Sequence, residues 1–370
     1  MQITWLIVYL FGTFLIARSY KEVISAIKKN VFLILLIAFV FISIFWSPFP
    51  GLSLRRSIAI TLTTAIGIYV GAKFDFEYII KKIALVYGLI IILSLLVSVI
   101  FPNYAFRYSE YTAMNGIFIQ KNVLGYNMIL SFLVWSWIYL SNIYGALIPL
   151  CFILISLVLL LLSKSLSSLL ILFLLLSIYF YYVTSKLNKY LFWGISAFLT
   201  AAIMILAIFI FSYIHDKSLQ AFFIDILGRD MTFSSRTIIW KAAWVDILKN
   251  FWFGYGYDAY WPGTGQSLSY FVKDLNPLEI SGSHNGVLEI WLSLGLTGIM
   301  LFSCYYFQTL FRLLQSIINN KFSPTLFFML LFIIANTLIN LTENLFLERN
   351  SILWILFVAI SVQLAQRKIT

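Results

Sequence analysis

Long apolar runs alternate with short polar breaks along the chain, and this pattern predicts a bundle of membrane-spanning helices. A helical span needs roughly 20 apolar residues, and eleven runs approach or reach that length. We predict an all-α, polytopic transmembrane helix bundle of about 11 to 12 spans. The predicted spans are 3–17, 31–46, 57–72, 83–101, 122–140, 144–162, 165–183, 190–213, 285–309, 325–342 and 351–366.

One long stretch, 214–283, interrupts the spans and is the only large piece predicted outside the membrane. It separates an N-terminal bundle of about 8 spans, 1–213, from a C-terminal set of about 3 spans, 284–370, and we expect both to form one integrated membrane domain. Within the loop, helical spacing places Trp240 and Trp244 on one face, which predicts short amphipathic helices. Two tryptophans on one face favour a position at the membrane interface.

Composition agrees with a membrane protein and excludes other classes. Of the 370 residues, 62% are hydrophobic and 11% are charged, with a mean hydropathy of +0.97. Soluble domains are roughly 45–50% apolar and about 25% charged. Because a surplus this large cannot be buried in a water-soluble core, we exclude a soluble enzyme, a disordered protein and a nucleic-acid binder.

The net charge of +11 bears on orientation. Cytoplasmic loops carry an excess of Lys and Arg, whereas long loops cross the membrane largely regardless of charge. With 214–283 left out, one set of alternate loops holds 13 basic residues and the other holds 6. We therefore predict that the first set is cytoplasmic and that 214–283 lies on the outward side.

Several polar groups fall on this outward side, where spans meet loops. Ionisable groups at membrane depth are costly and are functional candidates by default, and their convergence on one face is a stronger indication than any one of them. The set comprises Lys121 and Asn122 before the fifth span, Lys164 in the serine-rich turn Ser163–Ser168, Arg229 and Arg236 in the long loop, His284 before the ninth span, and Glu343 and Asn344 after the tenth.

The residue types in this set suggest binding of a phosphate and transfer of a proton. Arg229 and Arg236 could clamp a diphosphate, since guanidinium groups match phosphate oxygens; the alternative is that they reach lipid headgroups. His284 could accept a proton near neutral pH, or it could be structural. The tenth span carries a polar stripe that either binds ligand or joins helices, made of Asn336, Asn340, Glu343 and Asn344.

We predict no metal and no other cofactor. Asp75-Phe76-Glu77 superficially matches the acidic pair of some metal-dependent membrane enzymes, but the alternation of loops places it on the cytoplasmic side near several lysines. We interpret it as solvated surface. Elsewhere the Cys, His and carboxylate residues lack the spacing of metal ligands.

A series of short motifs occurs in order along the second half of the chain. They are Gly228-Arg229-Asp230, Ser235-Arg236-Thr237 with Trp240, Phe253-Gly254-Tyr255-Gly256, His284-Asn285-Gly286-Val287-Leu288-Glu289 and Gly295-Leu296-Thr297-Gly298. Together they resemble the signature region of the O-antigen ligase and polymerase family, which includes exopolysaccharide polymerases. An earlier block that resembles the same family is Gly116-Ile117-Phe118 with Lys121-Asn122-Val123-Leu124-Gly125.

The resemblance implies a metal-independent glycosyltransferase of the bacterial inner membrane with a periplasmic active site. Its donor would be an undecaprenyl-diphosphate-linked oligosaccharide, and its acceptor would be either a lipid-linked repeat unit or the lipid A core. Arg236 and His284 match the family's catalytic arginine and histidine. We expect membrane lipids and a chain-length regulator protein as further partners, and substrate contacts from Arg229, Lys164, Lys121, Asn122, Asn285, Glu343 and Trp240.

One departure from the family bears on the acceptor. The family's ligases carry a further arginine near the serine-rich turn, where this chain has Lys164, so that Lys164 or Arg229 would take its role. This mildly favours a polymerase, which joins repeat units, over a ligase that transfers the chain to lipid A core. A flippase or other transporter is the alternative of another class, but it would place polar groups near mid-membrane rather than at one face.

Overall fold

A computed structural model describes residues 2–106, 113–185, 234–261, 282–319 and 323–366. The regular secondary structure in these ranges consists of thirteen α-helices and one 3-10 helix, which confirms the all-α class. The predicted span 190–213 and most of the loop 214–283 lie outside the described residues. The division into 1–213, 214–283 and 284–370 therefore stays a prediction.

Most of the helices coincide with predicted spans, although several begin earlier or end later than predicted. A 3-10 helix, Ser43–Trp46, follows the third of them. In chain order they are α1 (Gln2–Arg18), α2 (Tyr20–Lys28), α3 (Val31–Ile42), α4 (Pro50–Lys73), α5 (Phe76–Ile100), α6 (Pro102–Ala105), α7 (Lys121–Leu140), α8 (Leu147–Ser163), α9 (Leu166–Ser185), α10 (Ser234–Lys249), α11 (Gly286–Asn319), α12 (Pro324–Ile339) and α13 (Ile352–Gln366).

Three helices in the described part of the chain, α5, α7 and α11, are long and apolar enough to cross a membrane. A fourth span results if α2 and α3 with its 3-10 extension, bent by 96°, count as one. The helices α1, α8, α9, α12 and α13 are apolar but shorter. Together these helices support a multi-pass membrane protein, whereas the total of eleven spans stays a prediction.

The outer surface of the bundle is apolar where a soluble protein would be polar. Leu10, Phe45 and Val99 are largely exposed, and many other large apolar side chains share this environment. Exposed apolar surface on this scale indicates contact with lipid. By contrast, α7 is buried around most of its circumference and lies at the centre of the bundle.

Small residues allow two of the helices to pack closely. A Cβ atom at Gly71 of α4 would lie 2.6 Å from the carbonyl oxygen of Ala359 in α13, and one at Gly67 would lie 2.9 Å from the Val358 Cβ atom. Close approach of backbones at small residues is a common way for membrane helices to associate. Glycine at these two positions therefore sets the distance between α4 and α13.

Polar contacts between segments that are distant in sequence occur at two opposite ends of the helix bundle. At one end, Lys73 pairs with Glu22 at 3.2 Å. At the other end, the side chains of Asn122 and Arg236 both contact Glu343. Each of these contacts joins loops that the alternation of spans assigns to the same side, as the predicted topology requires. Which end faces the periplasm stays a prediction.

The helix α11 is broken at Gly295, whose backbone has φ 67° and ψ −170°. The break leaves amide groups that the segment after α10 satisfies: Leu296 N donates to Phe251 O at 2.8 Å, and Thr297 N donates to Trp252 O at 3.1 Å. The segment that begins with α10 is thereby docked on α11.

The amphipathic segment predicted in the long loop forms α10. Its two tryptophans have different surroundings: Trp240 is half-buried, whereas Trp244 is 45% exposed and packs edge-on against Trp291 of α11. The buried side of α10 includes Ala243 and Ile247. The placement of both tryptophans at a membrane interface stays a prediction.

Candidate functional site

Glu343 lies just beyond the C-terminal end of α12 and brings three segments together. Its Oε1 atom lies 3.3 Å from Arg236 Nη2 on α10 and accepts a hydrogen bond from Asn122 Nδ2 on α7 at 3.1 Å. Its Oε2 atom lies 3.5 Å from His284 Nδ1. Four residues that the sequence placed on one face are therefore neighbours in the fold, and we refer to them as the Glu343 cluster. The roles assigned to them stay predictions.

The side chains of this cluster are largely shielded from solvent. The exposed fraction is 11% for Glu343, 17% for Arg236 and 32% for His284. Water screens charges less at this depth than at the surface, which strengthens the attraction between Glu343 and Arg236. His284 is the most accessible of the three side chains, and it is therefore the best placed to meet a substrate.

The serine-rich turn between α8 and α9 supports Asn122. Ser165 Oγ donates to Asn122 Oδ1 at 3.1 Å and lies 3.0 Å from Ser168 Oγ. A Cβ atom at Gly125, on the same face of α7, would lie 2.6 Å from Ser168 Oγ. Glycine at this position allows α7 to reach the turn, so that Asn122 is held between the turn and Glu343.

His284 adopts a backbone conformation that few non-glycine residues adopt. Its φ of +50° lies in the left-handed region, where histidine is among the enriched exceptions. Hydrogen bonds hold the residues on both sides: Trp240 Nε1 donates to Ser283 O at 2.8 Å, and Gly286 N donates to Asn340 O at 2.8 Å. Backbone strain of this kind persists where the surrounding structure enforces it, and it clusters at functional sites. Trp240 thus supports the His284 turn, while its contact with substrate stays a prediction.

A second carboxylate, that of Glu289 on α11, holds the same turn through hydrogen bonds to Ser283. Its Oε2 atom accepts hydrogen bonds from Ser283 N at 3.0 Å and from Ser283 Oγ at 2.8 Å. Its Oε1 atom accepts one from Trp261 Nε1 at 2.7 Å. One carboxylate oxygen therefore positions Ser283, the residue next to His284, and the other oxygen holds Trp261.

Asn285 has a structural role that the sequence did not predict. Its Oδ1 atom accepts hydrogen bonds from Val287 N at 3.0 Å and from Leu288 N at 3.1 Å. This is the pattern of a helix N-cap, so Asn285 begins α11. The predicted contact of Asn285 with substrate stays untested.

The two predicted lysines lie beside the cluster. Lys121 is the first residue of α7 and is half-buried directly before Asn122. Lys164 is exposed at the end of α8, has a left-handed backbone with φ 49°, and directly precedes Ser165. Arg229, the other predicted phosphate contact, lies outside the described residues.

The polar stripe predicted on the tenth span divides between two roles. The helix α12 ends at Ile339, and Asn340 Oδ1 accepts hydrogen bonds from Leu345 N at 2.8 Å and Phe346 N at 2.7 Å. Asn340 therefore stabilises the turn that follows α12. Three residues further on, Glu343 reaches the cluster, so the stripe both joins segments and contributes to the candidate site.

Two charged groups that follow Glu343 in the chain were not predicted as candidates. In the loop after α12, burial and the carboxylates of Glu289 and Glu343 raise the pKa of Glu348 to about 8. On the same loop, Arg349 pairs with Asp258. The signal that was available in the sequence is the general one, an ionisable residue close to the end of a predicted span.

The arrangement suits an anionic substrate and a proton transfer. Arg236 supplies a cation, and His284 supplies an imidazole group that can accept and donate a proton. Within the described ranges, no group of three or more His, Cys, Asp or Glu side chains could hold a metal ion. The acidic pair of the fifth helix lies away from the cluster, where Glu77 is exposed and pairs with Lys81 at 2.6 Å.

Comparison with known families adds an independent finding. Residues 149–303 match the family model described as O-antigen ligase. No curated protein matches the chain. The matched stretch contains Arg236, Trp240 and His284, whereas Asn122 and Glu343 lie outside it. Together with the candidate spans, the match supports a multi-pass membrane protein with a function of the O-antigen ligase or polymerase type at the level of the family. Over residues 149–303, the chain thus matches the O-antigen ligase family, which confirms the family resemblance noted for the motifs in this stretch.

Proposed function

We propose that the protein is a polysaccharide polymerase that joins undecaprenyl-diphosphate-linked oligosaccharide repeat units on the periplasmic face of the inner membrane. The transfer inverts the anomeric carbon and uses no metal. The observation that carries the proposal is the position of the Glu343 carboxylate between Arg236 and His284. It brings a cation suited to a diphosphate close to a base suited to a hydroxyl group.

In the proposed reaction, a hydroxyl of the acceptor sugar attacks the anomeric carbon of the donor from the face opposite the diphosphate. The new carbon–oxygen bond forms as the bond from the anomeric carbon to the diphosphate oxygen breaks, and the electron pair leaves with the diphosphate. Arg236 stabilises the negative charge that grows there. His284 accepts the proton of the attacking hydroxyl.

Glu343 would orient both groups. Its Oε2 atom faces His284 Nδ1, so we assign Nε2 as the atom that accepts the proton, with the carboxylate stabilising the imidazolium that forms. The separation of 3.5 Å is longer than a hydrogen bond, and such contacts often tighten only when substrate binds. On the other side, Oε1 holds Arg236 in place before the donor arrives.

The remaining predicted residues would bind the donor or the acceptor around this centre. Asn122 already contacts Glu343, and Lys121 and Lys164 lie next to residues of the cluster or its supporting turn. The positive charges of these lysines would attract the negatively charged diphosphate of the donor. The full proposed binding set is Lys121, Asn122, Lys164, Arg229, Trp240, Asn285 and Glu343.

A ligase is the second candidate, because the matching family model is described as O-antigen ligase. Such an enzyme would use the same donor but would transfer the glycan to the lipid A core. Incubation of the purified protein in nanodiscs with undecaprenyl-diphosphate-linked repeat units separates the two candidates. A polymerase produces a ladder of longer lipid-linked chains without another acceptor. Transfer that begins only when lipid A core is added would contradict the polymerase.

Substitutions in the cluster test the assigned roles in the same assay. His284→Ala should lower the rate of elongation by roughly 10²–10⁴-fold, the usual contribution of a general base. Glu343→Gln keeps the shape of the side chain but removes its charge, and it should lower the rate by roughly tenfold to a hundredfold, or about 1.4–2.7 kcal/mol of activation free energy. His215→Ala, at the other histidine of the chain, is the control and should keep the full rate.

Two outcomes would exclude parts of the mechanism. Full elongation by His284→Ala would show that His284 is not the base. Binding of undecaprenyl diphosphate that Arg236→Gln leaves unchanged would exclude Arg236 as the clamp.

A further inference from the structure

A cavity of about 810 Å³ opens between α1 and α4, and its lining does not include the Glu343 cluster. One wall carries three arginines: Arg55 and Arg56 in the first turns of α4, and Arg349 in the loop before α13. The alternation of spans assigns all three to the same side of the membrane as the cluster. We refer to this feature as the arginine cavity.

The arginine wall has an excess of positive charge. Arg56 Nη1 lies 3.3 Å from Asp258 Oδ1, and Arg349 pairs with the other oxygen of the same carboxylate. Arg56 and Arg349 thus share one carboxylate, and Arg55 adds a third guanidinium group to the wall. Burial lowers the pKa of Arg349, and the nearby Arg56 and Arg55 act in the same direction. The wall is therefore complementary to a ligand with roughly two negative charges.

The rest of the lining is mainly apolar and open. Leu6 and Leu10 on α1 and Ile58 on α4 line the cavity, and all three side chains are exposed. They continue the apolar outer surface of the bundle, which faces lipid. A cationic wall beside a lipid-facing wall fits an amphiphile with an anionic head and a long apolar tail, and not a free anion.

The arginine cavity and the Glu343 cluster share one loop. Glu343 lies near the start of the loop between α12 and α13, and Arg349 lies near its end. Tyr257 Oη donates to Leu347 O at 2.7 Å, which ties this loop to the segment that docks on α11. A ligand held by Arg349 would therefore be anchored to the same short segment that carries Glu343.

We propose that the arginine cavity binds the diphosphate head of a second polyprenyl-diphosphate-linked glycan, with its isoprenoid tail along α1. The inference rests on the proposed polymerase function. Joining two lipid-linked units requires that two diphosphates are held at once. Arg236 would serve the diphosphate that leaves, and the arginine cavity would hold the one that stays on the product.

The test counts the undecaprenyl diphosphate molecules that the full chain binds in phosphatidylcholine nanodiscs, by native mass spectrometry. We expect two per wild-type protein. Arg55→Gln changes an exposed residue of the wall and should weaken the binding of one molecule at least tenfold, while Arg55→Lys should restore part of it. Arg18→Gln removes an exposed arginine at the other end of α1 and should leave both molecules bound. Melting temperatures of the variants confirm that they remain folded.

A single bound molecule, or two that Arg55→Gln leaves unchanged, would overturn the proposed site. Displacement of the second molecule by an equal concentration of phosphatidylglycerol would also overturn it, because the cavity would then be a general site for anionic lipid. Elongation of lipid-linked repeats is measured in the same nanodiscs, so that the two proposals fail separately. If the protein elongates the repeats but binds only one undecaprenyl diphosphate, the arginine cavity is refuted as a binding site and the polymerase function is not. If it binds two molecules, one of them dependent on Arg55, but does not elongate the repeats, the cavity is supported and the polymerase function is contradicted.

Discussion

Glu343 is the side chain on which the candidate site most depends. A carboxylate has two oxygens and accepts several hydrogen bonds, which allows Glu343 to contact Asn122, Arg236 and His284 at the same time. Its place near the end of a predicted span marked it as a candidate. Its partners were candidates as well, but no local pattern specified that they would contact Glu343, which lies beyond the stretch that matches the family.

Glu348, five residues further along the chain, predicts a pH dependence of stability. Its pKa of about 8 in the folded protein lies above the ordinary value of 4.5. Between these values the folded protein keeps a proton that the unfolded chain has released. The stability contributed by this proton is complete below pH 4.5 and is lost as the pH rises through 8. The melting temperature in detergent should therefore fall between about pH 5 and about pH 9.

A matched pair of variants identifies the source of that fall. Glu348→Gln is uncharged at every pH, so it should reduce the fall and raise the melting temperature at high pH. Glu77→Gln changes an exposed carboxylate paired with Lys81 and should retain the fall. A melting temperature that rises with pH over this interval in the wild-type protein would contradict the buried proton on Glu348.

The break in α11 determines how the segment that begins with α10 packs against the bundle. In an unbroken helix, Leu296 N would donate to the carbonyl oxygen of Leu292. Here Leu292 O accepts a hydrogen bond from Tyr255 N at 2.8 Å, and Leu296 N donates to Phe251 O instead. Backbone groups of the segment after α10 thus form the hydrogen bonds that one turn of α11 would otherwise form within the helix. The motif around Gly295 was visible in the sequence, but this exchange of partners was not.

Gly295→Ala should destabilise the protein. A φ of 67° with a ψ of −170° is a conformation essentially limited to glycine, and other residues pay about 1–3 kcal/mol there. A Cβ atom would also contact the backbone of Trp252. We expect a lower melting temperature and, because α10 carries Arg236, slower glycosyl transfer. Gly51→Ala, where a Cβ atom meets nothing within 4 Å, is the control, and equal melting temperatures for the two variants would contradict the role of the break.

The molecule as a whole has two polar ends with different character. Within the described ranges, six non-glycine residues have positive φ, and five of them lie at the end that carries Glu343. They are Lys164, Asp258, His284, Leu347 and Asn350. Strained backbone concentrates at functional sites, so this distribution favours the end of the bundle where the sequence placed the candidate chemistry.

The predicted orientation of these ends is open to a labelling test. In a chain with Cys151→Ser and Cys304→Ser, both exposed cysteines are removed. A membrane-impermeant maleimide should then label Ile119→Cys in intact spheroplasts, because this exposed position lies at the same end of the bundle as the Glu343 cluster. Lys29→Cys, exposed at the other end, should react only after permeabilisation. The reverse pattern would contradict the orientation and, with it, a periplasmic active site.

The sequence by itself determined the helical class, the approximate positions of the apolar helices described here and the family resemblance. These properties depend on hydropathy and on motifs that are local in the chain. Tertiary structure alone decided which side chains meet. Arg236 and Glu343 are 107 positions apart, and Asn122 and Glu343 are 221 apart, so their contacts arise only when packed helices bring distant segments together. For the same reason the capping role of Asn285, the proton on Glu348 and the arginine cavity emerged from the fold, because each depends on neighbours and burial that no local pattern specifies.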